Sequence, residues 1–119
     1  MARAVTIANL DGPVVCEQCV LADSPLRRMR GLLGRKHLDT GHGILIRPAP
    51  AIHTWFMRFA IDAVFLDREL NVLSVRPELR PWRMAGQRGA RAVLELPAGE
   101  AERRGIEPGA RLEVNVGGL

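Results

Sequence analysis

Four consecutive apolar residues, Ala63-Val64-Phe65-Leu66, closed by Asp67, constrain the fold of this chain more than any other stretch. A continuous apolar run rich in β-formers reads as a strand covered on both faces. The residues before it are of a different kind. His53, Thr54, Trp55, Arg58 and Asp62 are interleaved with Phe56, Met57, Phe59 and Ile61. Polar groups set among bulky apolar ones are what a small-molecule pocket requires, a dry wall with a few oriented hydrogen-bonding groups. The stretch from His53 to Asp67 is therefore the candidate site.

Asp62 is the sharpest point in it. In a regular strand it shares a face with Val64 and Leu66, so it is expected to be buried. A buried carboxylate needs a cation or several donors. Two readings stand: a structural Asp bonded to backbone N–H groups or an Arg, and a ligand-binding or catalytic Asp.

The rest of the chain supplies short strands and turns. Val5 and Ile7 alternate with Thr6 and Ala8 as a first strand, and Asp11-Gly12 signals a turn into a second strand over residues 14–21. Ser24-Pro25 reads as the start of a helix carrying Leu26, Met29 and Leu33 on one stripe, with Gly34 as its stop. Ile44 to Ile46 is a short buried strand ended by Arg47-Pro48. Val72, Leu73 and Val75 form a return strand after Asp67, and residues 77–89 read as a long irregular loop holding Trp82. Residues 93–96 are another strand, in which Glu95 faces away from Leu94 and Leu96. A second short helix is expected over residues 99–104, with acids in its first turn and arginines in its last. Pro108-Gly109 fits a type II turn, and Leu112, Val114 and Val116 alternate in a last strand. The expected fold is a single β-rich α+β domain over residues 1–119: a small, mostly antiparallel, partly open β-barrel with two short helices.

Cys16-Glu-Gln-Cys19 has a spacing suited to zinc or thiol redox chemistry. On a regular strand the two sulfurs would diverge, and no second cysteine pair completes a zinc site. Two ordinary strand cysteines are the favoured reading, an argument that a β-bulge here would weaken.

Composition narrows the function classes. The net charge is +4, and all but one of the seventeen basic residues are Arg, spread along the chain. Nucleic-acid binders concentrate such charge on one face with interleaved aromatics, so no nucleic-acid partner is expected. No apolar run approaches the roughly 20 residues of a membrane span, and the N-terminus lacks the pattern of a signal peptide. A cytoplasmic protein with no membrane partner is the expectation. No cofactor or metal is expected either, and oligomeric state is not legible.

Four blocks of sequence resemble a known family. They are residues 30–35 (RGLLGR), the stretch from His53 to Asp67, residues 93–99 (VLELPAG), and Gly105-Ile106 followed by Pro108-Gly109. In this order they are similar to the bacterial and archaeal family Domain of Unknown Function 192. The resemblance implies a compact β-rich domain with no established activity. Ala60, Leu70 and Ala110 depart from residues common in that family, where Leu70 stands at a hairpin position often held by Gly.

The leading functional reading is a small-molecule binding domain for a ligand that carries an anionic group. Its pocket would be walled by Trp55, Phe56 or Met57, with polar contacts from His53, Asp62, Arg30 and Glu95. One alternative is a small enzyme with His53 and Asp62 as an acid–base pair, although no nucleophile elbow and no Tyr is present. The other is a structural or partner-binding domain in which Arg30 pairs internally with Asp62 or Glu95.

Overall fold

The apolar run does form a strand buried at every position. In the computed structural model, which describes residues 4–23 and 36–116, β5 (Ile61–Leu66) lies between two neighbours and is covered on both faces. Ahead of it come β1 (Ala4–Asn9), β2 (Val14–Ala22), β3 (His42–Ile46) and β4 (Ala51–His53). After it come β6 (Val72–Leu79), β7 (Met84–Gly86), β8 (Ala92–Pro97), the helix α1 (Glu100–Arg103) and β9 (Leu112–Asn115). Seven strands form one sheet in the order β6-β5-β8-β3-β2-β1-β9, and β4 pairs with β7 in a separate two-stranded sheet. Only β2 with β3 is parallel among the described strands.

Alternation along β5 builds two cores. Val64 and Leu66 join Val5, Ile7, Leu45, Leu94, Leu96 and Leu112 on one face, where Ala101 and Ile106 also pack. Ile61, Ala63 and Phe65 face the other way, against Ile44, Ile46 and Val93, and there Ile52 and Ala85 of the small sheet cover them. A buried Leu, Ile or Phe contributes about 1.5–3 kcal/mol relative to exposure. Both faces of β5 therefore matter to stability.

The sheet does not close into a barrel, so of the expected partly open barrel only the β-rich, mostly antiparallel sheet is seen. The edge strands β6 and β9 meet only at one end, through the Asn71–Arg111 bridge and the bonds Val72 N–H to Ala110 O and Leu112 N–H to Leu70 O. Neither edge can extend this into a ladder. β9 has four residues, and Pro77 in β6 has no N–H to donate. The sheet is curled but open. One helix lies among the described residues, α1; the other expected helix, opening at Ser24, lies outside them.

The turns follow local chemistry. Asp67 accepts the backbone N–H groups of Glu69 and Asn71 at 2.9 and 2.8 Å, closing the β5–β6 hairpin. Leu70 in that hairpin has φ of 66°, the left-handed conformation that Gly adopts without cost. Gly109 has φ of 93°, as its type II turn requires.

Two short strands lie where none was expected, β4 directly after Pro50 and β7 in the segment expected to be irregular. Each offers a single inward apolar residue, Ile52 and Ala85, which is too little alternation to show a period. The Cys16–Cys19 segment also differs from a regular strand. Val5 pairs with Cys19 and Ile7 with Cys16, so β2 bulges by one residue between the cysteines. The bulge turns both sulfurs into the same core, fully buried, rather than to opposite faces.

Candidate functional site

The stretch from His53 to Asp67 separates into an inner and an outer part. Asp62 belongs to the inner part. It alternates with Val64 and Leu66 and is fully buried on their face. Its Oδ1 accepts the N–H of Glu78 at 2.9 Å, and its Oδ2 accepts those of Gly99 at 3.0 Å and Ala101 at 2.9 Å. A bulge in β6 presents the Glu78 amide, and the first turn of α1 presents the other two. Three N–H donors account for a buried carboxylate without a ligand. Met57 is likewise internal, packed in the core beneath the small sheet.

The outer part is an aromatic surface. In the β4–β7 pair Ile52 and Ala85 face inward, so their neighbours His53 and Met84, paired opposite each other, face outward. The chain leaves β4 through Thr54 into Trp55 and Phe56, and Trp82 precedes β7. His53 and Trp55 lie with ring centroids 4.8 Å apart, and Phe56 and Trp82 with centroids 4.7 Å apart at 60°. These are ordinary contact distances for tilted aromatic pairs. The rings are nonetheless open to solvent: Phe56 is 69% exposed, Met84 68%, Trp82 57% and Trp55 41%.

Thr54 holds this surface in place. It is fully buried. Its N–H donates to Arg83 O at 2.8 Å, and its carbonyl accepts from Trp82 N–H at 3.0 Å and Met57 N–H at 3.2 Å. Its hydroxyl donates to Arg80 O and accepts from Arg83 N–H at 2.9 Å. Phe56 and Trp82 both have φ of 66°. The left-handed region costs a side-chain-bearing residue about 1 kcal/mol or more, so the Thr54 bonds impose this geometry on both rings. Gly86 completes the outer face. A Cβ there would come within 3.1 Å of Ala51 Cβ, so the two small residues leave the strand pair flat.

Glu95 lies on the same face of the large sheet as the small sheet. It sits on β8 between Ile44 of β3 and Ala63 of β5, 3% exposed, and its Oε1 has no hydrogen-bond partner. Burial alone pushes its carboxyl up to about 8. At neutral pH it is mostly protonated. Arg30 lies outside the described residues.

His53 and Asp62 do not meet. Asp62 points into the core that contains Ala101, and His53 is exposed on the small sheet that covers the opposite face. The structure brings His53 together with Trp55 and Phe56, and adds Trp82 and Met84. Trp82 and Met84 were not legible as site residues because β7 itself was not. Their only signal was a tryptophan in a long loop.

The cysteines form a separate buried pair. A hydrogen bond from the Cys19 thiol lowers Cys16, while that bond and burial hold Cys19 up. No third His, Cys, Asp or Glu converges on them among the described residues. No helix among these residues is long and apolar enough to cross a membrane.

Comparison with known proteins agrees with this fold. A UPF0127 protein of Pyrococcus furiosus is 36% identical over 98 residues, which cover 79% of this chain and 84% of the relative. Two crystal structures share the fold at 24% identity. One is a Sinorhizobium meliloti protein described as a "putative transcription regulator", with a TM-score of 0.82 over 96% of this chain and 94% of the other. The other is a Novosphingobium aromaticivorans protein of unknown function, with a TM-score of 0.80 over 94% and 84%. The family profile DUF192, described as an uncharacterised ACR, matches residues 6–114, and the chain belongs to that family.

Proposed function

We propose that this protein is a binding domain for a small molecule with a flat ring, stacked on the surface formed by His53, Trp55, Phe56, Trp82 and Met84. The observation that carries the reading is the exposure of these large side chains on a rigid frame. Phe56 and Trp82 are held in left-handed conformations yet left mostly uncovered. Strained backbone that presents bulky apolar groups to solvent opposes both folding and solubility, and it is characteristic of binding surfaces. Aromatic faces and a thioether suit a planar partner. Exposed Arg80 and Arg83 flank Trp82 in sequence, so a carboxylate on the ring has a cation nearby.

The enzyme alternative has less support, because its acid–base pair lies on opposite sides of the sheet. Glu95, protonated and with its Oε1 unpartnered, is buried beneath the same face rather than presented on it.

Trp55 and Trp82 are the chain's only tryptophans, so intrinsic fluorescence reads this surface directly. Purified protein is titrated with aromatic acids, nucleosides and sugars. A saturable change in emission, lost in Phe56→Ala and weakened in His53→Ala, supports the reading. Emission unaffected by every compound at millimolar concentration, with the protein self-associating as concentration rises, would replace it with a surface that meets a second copy.

A further inference from the structure

Three adjacent strands of the large sheet end in arginines at the same edge. In the order β5-β8-β3, β8 runs antiparallel to both neighbours, so its start lies beside their ends. Arg47 follows the last residue of β3, Arg91 precedes the first residue of β8, and Arg68 stands two residues beyond β5. Neighbouring strands are about 4.8 Å apart, so three long side chains from these positions can reach one small group. The backbone fixes the middle one: Arg91 N–H donates to Leu66 O at 2.7 Å, and Arg91 O accepts Ala49 N–H at 3.0 Å.

The three arginines line a cavity of about 370 Å³ together with Asp67, Pro48, Leu70 and Ala92. That volume lies in the range of small-ligand pockets. Among the described residues, none of the three guanidiniums makes a hydrogen bond or ion pair, although other arginines do, such as Arg103 and Arg104. The one carboxylate among the described lining residues is already engaged. Asp67 accepts from Glu69 N–H, Asn71 N–H and Asn71 Nδ2, and the Asn71 bond foremost keeps it ionised. Among the described lining residues, three cations and one occupied anion leave a surplus of two positive charges.

We propose that this cavity binds the phosphate group of a small phosphomonoester. Guanidiniums are planar forks that match phosphate oxygens pairwise, and a phosphate dianion balances the surplus charge. Pro48, Leu70 and Ala92 give the attached organic part an apolar wall. The site is distinct from the aromatic surface and does not depend on it.

The test is calorimetric titration of the whole chain with inorganic phosphate and with glycerol phosphate, at ionic strength held constant with sodium chloride. One saturable site is expected for each, with the ester at least as tight. Binding is expected to weaken tenfold or more in each of Arg47→Gln, Arg68→Gln and Arg91→Gln, and to be unchanged in Trp82→Ala. Matched far-UV spectra verify that the variants are folded. Absence of saturation against the chloride background, or variants that bind like wild type, would overturn the assignment. Binding of inorganic phosphate with exclusion of the ester would overturn the ligand class.

Discussion

The carboxylate of Asp62 on β5 accepts the backbone N–H of Ala101, 39 residues further along the chain, at 2.9 Å. With Gly99 N–H at 3.0 Å and Glu78 N–H at 2.9 Å, this oxygen pair pins α1 and the bulge of β6 to the central strand. α1 has only four residues and would not be stable alone. Its position therefore depends on Asp62.

Asp62→Asn tests that dependence. Asn has one acceptor oxygen, and its NH2 group would face at least one of the three amides. Losing charged hydrogen bonds and stranding a buried N–H is expected to cost about 3 kcal/mol. Urea unfolding monitored by far-UV circular dichroism measures it. A loss below 1 kcal/mol would show that the amides find other acceptors. Binding at the aromatic surface is expected to persist in the folded variant, since Asp62 faces the other core.

Thr54→Val keeps the side-chain shape and removes the hydroxyl that joins Arg80 and Arg83. The Arg83 N–H, part-buried against the fully buried Thr54 side chain, loses its acceptor. A destabilisation of about 1–3 kcal/mol is expected. The frame that holds Trp82 loosens with it, so tryptophan fluorescence anisotropy should fall before global unfolding. Anisotropy equal to wild type across the pre-transition range would show that the backbone bonds of Thr54 suffice to hold the rings.

What the sequence made legible was the apolar period and little beyond its reach. The burial of β5 and of Asp62 followed from alternation, since position 62 shares a face with Val64 and Leu66. The partners of Asp62 did not follow, because they are backbone amides with no side-chain signature, delivered by a bulge and a helix start. The same limit applies at Cys16 and Cys19, where one extra residue in β2 reverses which face a side chain occupies. The aromatic surface was half visible. His53 and Trp55 stood in a dense cluster, but Trp82 and Met84 are carried by a three-residue strand. Leu70 was marked through the family pattern as standing at a common Gly position, and its φ of 66° supplies the physical reason.

Gly43→Ala probes the parallel seam between β2 and β3. A Cβ at Gly43 would lie 2.8 Å from Glu95 O, 2.9 Å from Leu96 Cδ2 and 3.0 Å from Cys16 Sγ. The leucine methyl can move, but the carbonyl belongs to the β8 backbone and cannot move alone. Overpacking of this kind costs about 1–3 kcal/mol. Adding Cys16→Ala removes the sulfur contact and leaves the carbonyl one, so chemical denaturation of the double variant should show only partial coupling. Full recovery in the double variant would identify the sulfur as the sole obstacle.

Glu95 sets a pH dependence opposite in sign to that of the exposed acids. Its carboxyl is pushed from the ordinary 4.5 to about 8 by burial. Between those values the unfolded chain has released this proton and the folded chain retains it. The folded state then binds more protons, so stability falls as pH rises through the window, by an amount on the order of 5 kcal/mol. Below the window this group contributes no slope, and above it the loss is complete. Asp67 and Glu17 act the other way and at lower pH. Hydrogen bonds from Asn71 and Arg104 hold them below their usual range, so their contribution is lost only as pH falls through it. Urea unfolding of wild type and Glu95→Gln from pH 5 to pH 9 separates these effects. Gln cannot ionise, so the variant should show a nearly flat profile across the window and exceed wild type in stability at pH 9. Parallel slopes in the two proteins would mean that Glu95 ionises in the folded state near its ordinary pH, with a cation at Oε1 that the neighbouring Ile44 and Ala63 do not supply.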